Sequence, residues 1–315
     1  MKTIFGVAAV VALVLSSAIN PRGAQQTPTF SSKSELVVLH VLVRDRHGAY
    51  VGGLQERAFR VYDDNQPQII KFFELEDAPV TIGLIIDNSS SMAPMREQVI
   101  AASTAFVKSS NPKDEVFALV FDDDVRPVLD RAKPFTSDAG VLRQALTNVF
   151  APAGRTSLYD AIESGLRYVV KGSHDRQALV VLSDGGDNAS LHTRREMLGM
   201  VERSVATIYT IGLFDPEDAD RDPGILERLA KISGGEAFLP ASSAEMVPVC
   251  RRIAEDIRTR YTLGYLPRAG KGLDPVRHIR VRVTAPDLAN PQYSHLVART
   301  RSSYRYDEGQ SEKPK

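Results

Sequence analysis

One stretch constrains this chain more than any other: Thr81-Ile82-Gly83-Leu84-Ile85-Ile86-Asp87-Asn88-Ser89-Ser90-Ser91-Met92. A continuous apolar run of this length, bounded by polar residues, predicts a parallel strand buried on both faces. The run stops on a carboxylate, Asp87, and hydroxyls follow at alternate positions, Ser89 and Ser91. These are hard oxygen donors, and hard oxygens suit Mg²⁺. The same residue types also build turns and helix caps, so further segments must decide between the two readings.

From Val80 onward, apolar strand patterns alternate with helical ones, the sign of an open parallel α/β sheet. Pro94 to Lys108 and Thr136 to Val149 read as helices, and Val116 to Phe121 as a second buried strand, followed by Asp122-Asp123-Asp124. That acidic triplet reads as a solvated loop, with a second cation as the alternative. Ala153-Gly154-Arg155-Thr156-Ser157-Leu158-Tyr159-Asp160 is a glycine-containing loop entering a helix, where Thr156 has the chemistry of a cap. Gln177 to Asn188 repeats the first theme: a buried strand, then Asp184-Gly185-Gly186-Asp187. Asp222-Pro223 begins a later helix and Gly234-Gly235 ends it. Ser242-x-x-Glu245 reads as a capping box for a helix reaching Arg258.

Asp87-x-Ser89-x-Ser91, the Gly-x-Thr loop ending at Thr156 with Leu158-Tyr159-Asp160 after it, and the strand-then-Asp184-Gly185 segment together resemble the metal-ion-dependent adhesion site (MIDAS) of von Willebrand factor A (VWA) domains. The resemblance runs from about Val80 to Ile257. It implies a Rossmann-like α/β fold, a mostly parallel central sheet with helices on both faces. It also implies one divalent ion, Mg²⁺ or else Mn²⁺ or Ca²⁺, at Asp87, Ser89, Ser91, Thr156 and Asp184. Ser89, Ser91 and often Thr156 would bind the ion directly, and the two aspartates largely through water or through the hydroxyls. The sixth ligand would be an Asp or Glu carboxylate from a protein partner. Asn88, Ser90, Arg155, Gly185 and Asp187 are the expected partner-binding rim, with Asp187 also suited to a turn or cap. Arg155 departs from the family pattern, which often has a second glycine there; the expected consequence is either a stiffer loop or a positive charge beside the site.

The flanks are strand-rich. Glu35 to Arg44, Phe59 to Tyr62 and Gln68 to Phe73 read as strands, with a hairpin turn at Asp63-Asp64-Asn65. After Tyr261 the pattern returns to strands, among them Arg277 to Thr284, with Ile279, Val281 and Val283 alternating against basic residues. Ser294 to Tyr306 reads as holding one more. Three strands alone make a thin sheet with open edges. The expected plan is therefore an N-terminal β segment (34–78), a VWA domain (79–259) and a C-terminal β segment (260–306) that pairs with the first, forming a small β domain. This plan is similar to the bacterial VWFA-related Acidobacterial domain family, through Ala58-Phe59-Arg60-Val61-Tyr62-Asp63-Asp64 and Tyr261-Thr262-Leu263-Gly264-Tyr265.

The chain begins with Lys2, an apolar run from Ile4 to Leu15, and Ser16-Ser17-Ala18. That is the order of a signal peptide (1–18), cleaved after Ala18. A loose leader (19–33) and a disordered tail (307–315) complete the plan. The expected location is secreted or periplasmic, with no transmembrane anchor after cleavage. A single cysteine, Cys250, allows no internal disulfide and reads as a buried small hydrophobe. The 39 basic and 39 acidic residues cancel, which removes the electrostatic ground for a nucleic-acid partner. No Gly-x-Ser-x-Gly elbow, zinc-protease helix or phosphate loop is present. The expected function is a non-enzymatic, metal-dependent protein-binding module. The alternatives are a Mg²⁺-dependent hydrolase, for which no general base is evident, and a structural domain whose metal site is vestigial.

Overall fold

A computed structural model describes residues 36–75, 78–214, 220–268, 275–284 and 295–306. The expected signal peptide, leader and tail lie outside the described residues. Among those described, no helix is long and apolar enough to cross a membrane.

The central sheet has six strands. β5 (Val80–Asp87), β6 (Glu115–Phe121), β8 (Arg176–Ser183), β9 (Thr207–Gly212) and β10 (Ala237–Phe238) run parallel, and β7 (Val125–Pro127) closes one edge antiparallel. Their order is β10-β9-β8-β5-β6-β7. Every residue of β5 is buried, as a strand covered on both faces requires. One face carries α1 (Arg96–Ser109), α2 (Ala139–Val149) and α6 (Met246–Arg258), with Phe106, Leu142 and Ile253 packed against Ile82, Leu84 and Ile86. The other carries α3 (Leu158–Val169), α4 (Arg194–Arg203) and α5 (Pro223–Ser233), with Ile162, Met197 and Leu229 in the cluster of Ile85, Phe117 and Leu179. Cys250 is buried on α6, and burial pushes its thiol up to about 12, out of reach of thiolate chemistry at neutral pH.

The flanks form two four-stranded antiparallel sheets. One is ordered β13-β1-β11-β4, from Val297–Arg299, Val37–Arg44, Tyr261–Tyr265 and Ile70–Leu75. The other is β14-β12-β2-β3, from Ser303–Arg305, Val276–Val283, Phe59–Asp63 and Gln66–Gln68. Both sheets mix strands from before and after the central domain: Leu39 faces Leu263, and Val61 faces Val281. Leu39, Val41, Phe59, Tyr261 and Ile279 share one core.

Several local expectations need correction. The single strand expected over Gln68–Phe73 is two, β3 and β4, which leave Ile69 exposed between them as the chain changes sheets. The helix expected from Pro94 is a 3₁₀ segment, Ser90–Met95, that becomes α-helical at Arg96. The helix expected from Thr136 starts at Ala139, capped by Asp138, whose carboxylate accepts from Gly140 and Val141. Ser242 and Glu245 form no capping box: Ser243–Glu245 is a 3₁₀ turn ahead of α6, and Glu245 reaches back to the Ala241 N–H. A capping box does form at Thr193–Glu196, ahead of α4.

His40 of β1 lies against the central domain, facing Arg176, Arg260 and Arg301. Burial first, and those three cations after it, lower its pKa from 6.5 to about 3. The folded protein therefore refuses a proton that the unfolded chain accepts. From pH 6.5 downward the unfolded state binds more protons, and stability falls until about pH 3, where the folded imidazole also titrates. The slope reaches about 1.4 kcal/mol per pH unit. His40→Gln is expected to flatten the loss between pH 6.5 and 4, read by urea denaturation; parallel pH profiles for the two proteins would refute it.

Candidate metal centre

In the central sheet the chain leaves β5 for β6 on one side and later returns to β8 on the other. The carboxyl ends of β5 and β8 flank this reversal, the place where open α/β sheets bind ligands. Asp87 is the last residue of β5, and Asp184 follows β8 directly.

Around this edge four residues form one hydrogen-bonded chain, its first link made by a backbone N–H. Asp87 accepts from the Ser89 N–H at 2.9 Å through Oδ1. Ser89 Oγ lies 3.1 Å from Ser91 Oγ, and Ser91 Oγ donates to Asp184 Oδ2 at 2.9 Å. The other oxygen of each aspartate is used for positioning. Ser183 Oγ donates to Asp87 Oδ2 at 2.7 Å, and the Gly186 N–H donates to Asp184 Oδ1 at 2.8 Å. Burial pushes the Asp87 carboxyl up to about 7; the bonds from Ser183 and Ser89 oppose this, and the charge of Asp184 adds to it.

Thr156 lies on the neighbouring loop. Its N–H donates to Asn188 Oδ1 at 3.0 Å, and its carbonyl accepts from the Asn188 and Ala189 N–H groups. Its loop is tied to the first one where Ser90 N and Oγ both donate to the Gly154 carbonyl, and Ala153 N–H to the Asn88 carbonyl. Asp87, Ser89, Ser91 and Asp184 are therefore joined directly by hydrogen bonds, and Thr156 is held beside them through backbone bonds.

The expected rim divides. Ser90 and Arg155 are exposed, as a rim requires. Asn88 is turned inward and 1% exposed, its amide donating to Asp122 Oδ2 and to the Ala151 carbonyl. Gly185 is also buried, with φ +84°, and a Cβ there would lie 2.2 Å from the Asp222 carbonyl oxygen. Only glycine allows that approach. Asp187 is half-buried and braces the start of α3, accepting from the Tyr159 N–H and Ser190 Oγ. The acidic triplet is not a plain solvated loop: Asp122 is buried and clamped by Arg126 and Asn88, and Asp123 is paired with Arg155. Ser183 and Asp122, which set the orientations of Asp87 and Asn88, are absent from the sequence-based site. The available signal for Ser183 was a hydroxyl ending an otherwise apolar strand.

The donor set fits a small divalent cation. Adjacent ligands on a Mg²⁺ octahedron, with bonds of about 2.0–2.1 Å, stand about 2.9 Å apart. The Ser89–Ser91 and Ser91–Asp184 separations, 3.1 and 2.9 Å, have that span. Among the described residues no three His, Cys, Asp or Glu side chains gather as a metal group. A cation at this edge therefore depends on the serine hydroxyls.

The fold and this edge define a Rossmann-like α/β domain with an Asp-x-Ser-x-Ser loop at its topological switch point. Residues 82–186, a third of the chain, match the family described as von Willebrand factor type A domain. No curated protein matches the chain. Among solved structures, it is similar to a von Willebrand factor type A protein from Catenulispora acidiphila, at 11% identity and TM-score 0.49, covering 89% of this chain and 76% of that one. It is similar to an aerotolerance-related membrane protein from Bacteroides fragilis, at 18% identity and TM-score 0.46, covering 56% and 98%. It is also similar to the vWF domain of the type V pili tip protein Mfa5 from Porphyromonas gingivalis, at 15% identity and TM-score 0.47, covering 57% and 95%.

Proposed function

We propose that this protein is an exported, non-enzymatic binding module, secreted or periplasmic, that recognises a protein partner through one divalent cation, Mg²⁺ or a close substitute. Asp87, Ser89, Ser91, Thr156 and Asp184 hold the cation, and an Asp or Glu side chain of the partner completes its coordination. The observation that carries this reading is the Asp87–Ser89–Ser91–Asp184 chain at the sheet's switch point, in which the Ser89–Ser91 and Ser91–Asp184 oxygen spacings suit an octahedral ion. A bound cation supplies an electrophilic position for an outside carboxylate. Neutral hydroxyls in contact with it leave its charge less quenched than a cage of carboxylates would. The protein's own work is orientation: Ser183 fixes Asp87, the Gly186 N–H fixes Asp184, and Ser90 locks the first loop to the second.

Calorimetry with Mn²⁺ and Mg²⁺ on the exported chain tests this. One ion per chain is expected. Asp184→Asn and Ser91→Ala are each expected to weaken binding by about 10- to 100-fold, as is usual when groups that hold or orient metal ligands are lost. Equal heats from the wild type and both variants would remove the metal. Mass action adds a second readout. At about 100 times its Kd the ion should stabilise the fold by about 2.7 kcal/mol, lost on adding chelator.

A further inference from the structure

Arg155 is the one cation that the expected rim places in solvent, and it is held in a definite pose. Its Nε donates to Asp123 Oδ1 at 2.8 Å, and its backbone N–H donates to Asp123 Oδ2 at 3.2 Å. One carboxylate thus grips both the backbone and the side chain of the same residue. The preceding Gly154, at φ +81°, lets Asp123 come this close, since a Cβ on it would lie 2.3 Å from Asp123 Oδ2. The pairing occupies the Nε side of the guanidinium. Among the described residues no hydrogen bond engages Nη1 or Nη2, and the side chain is 66% exposed. A guanidinium gripped from its side presents its end fork outward, and that fork suits a carboxylate in bidentate fashion. The Gly154 carbonyl beside it accepts both Ser90 bonds, and Ser90 lies between Ser89 and Ser91. The fork is therefore tied by two short links to the loop that carries the serine hydroxyls.

We infer that Arg155 is a specificity-determining residue that binds a second acidic group, so that the partner's recognition element carries two carboxylates close together, one for the cation and one for the guanidinium. This rests on the metal-dependent reading above. Asp123 acts as the positioning residue for the fork. Arg126 spends both Nη1 and Nη2 on Asp122, whereas among the described residues no hydrogen bond engages those atoms of Arg155.

The test uses Mn²⁺-loaded full-length exported protein and three capped peptides. One has a single aspartate, one has two aspartates separated by one glycine, and one has two separated by three glycines. In an extended peptide the first pair places both acids on one side, about 7 Å apart. At least one two-acid peptide is expected to bind about tenfold tighter than the one-acid peptide, beyond the twofold that two equivalent acids give by statistics alone. In Arg155→Gly and Arg155→Gln that preference should fall to about twofold or less while Mn²⁺ still binds at least as tightly, since a positive charge is removed from beside the ion. Asp123→Asn, which loosens the grip on Nε and so the pose of the fork, should fall between these and the wild type. A wild-type preference of twofold or less overturns the inference, as does a preference that survives in both variants. So does equal weakening of all three peptides, which would assign Arg155 to loop structure alone. Failure of the wild type to bind Mn²⁺ would instead sink the metal reading, and this inference with it.

Discussion

Asp63→Ala is expected to destabilise the fold by about 3–5 kcal/mol, the usual cost of removing one partner from a buried ion pair. Asp63 ends β2 at 2% exposure inside the flanking β domain. Its Oδ2 accepts from the Tyr304 hydroxyl at 2.8 Å and the Tyr265 hydroxyl at 3.1 Å, and lies 3.5 Å from Arg277 Nη1. Burial and the aspartate's charge hold both tyrosine hydroxyls well above the ordinary tyrosine range, so they remain neutral donors. Arg277 is itself 3% exposed. Without the carboxylate it would keep the Arg268 carbonyl at 2.8 Å and the Tyr306 ring face at 4.4 Å, but no counter-charge within the cluster. Each contact of Asp63 joins the chain before the central domain to the chain after it, so the cluster fastens the two flanks. Urea denaturation is the measurement. Asp63→Leu combined with Arg277→Met should recover much of the loss, because an apolar replacement leaves no buried charge unpaired. An Asp63→Ala variant within about 1 kcal/mol of wild type would show that solvent reaches Arg277 in the native state and that no counter-charge is needed.

What could be read from the sequence follows the range of the forces involved. The runs ending at Asp87 and Asp184 were legible because a strand covered on both faces must be apolar throughout, and a polar residue there can only mark its end. Asp222-Pro223 and Gly234 were legible as helix start and stop because capping is local, and the Asp222 carboxylate does accept from the Ile225 N–H. Ser242-x-x-Glu245 and Thr193-x-x-Glu196 have the same spacing, yet only the second forms the box, since a 3₁₀ turn occupies the first. The break at Ile69 was hidden because its cause is remote: β4 pairs with Tyr261–Tyr265, and β3 with β2. In the site, the alternation of Ser89 and Ser91 was visible, but the inward turn of Asn88 was not. It depends on Asp122, 34 residues away. The burial of Arg260 and Arg277 was not legible, because nothing nearby in the sequence signals the carbonyls and the carboxylate that receive them.

Arg260→Met is expected to produce the second large loss of stability, again several kcal/mol. Arg260 is 3% exposed in the short link between α6 and β11, where the central domain joins the β domain. Its guanidinium donates to the Gly234 carbonyl from both Nη1 and Nη2 at 3.1 Å, to the His40 carbonyl at 3.1 Å and to the Tyr209 hydroxyl at 2.6 Å, with Nε on the Asp256 carbonyl at 3.3 Å. Methionine fills much of the volume but donates nothing. The carbonyls of Gly234 and His40 then lose their charged donor in a dry junction, at about 1–3 kcal/mol for each buried group left unsatisfied. The neighbouring pairs of Arg44 with Asp256 and with Glu236 would still join β1 to the central domain, so the variant should fold. The edge proposed to hold the cation lies at the opposite, carboxyl end of β5 and β8, and Mn²⁺ affinity should therefore stay within about twofold while the denaturation midpoint drops. A midpoint unchanged from wild type would mean that water replaces the guanidinium at no cost. A fall in Mn²⁺ affinity in proportion to the stability loss would mean that the junction and the metal edge are energetically coupled, which the separation of their hydrogen-bond networks argues against.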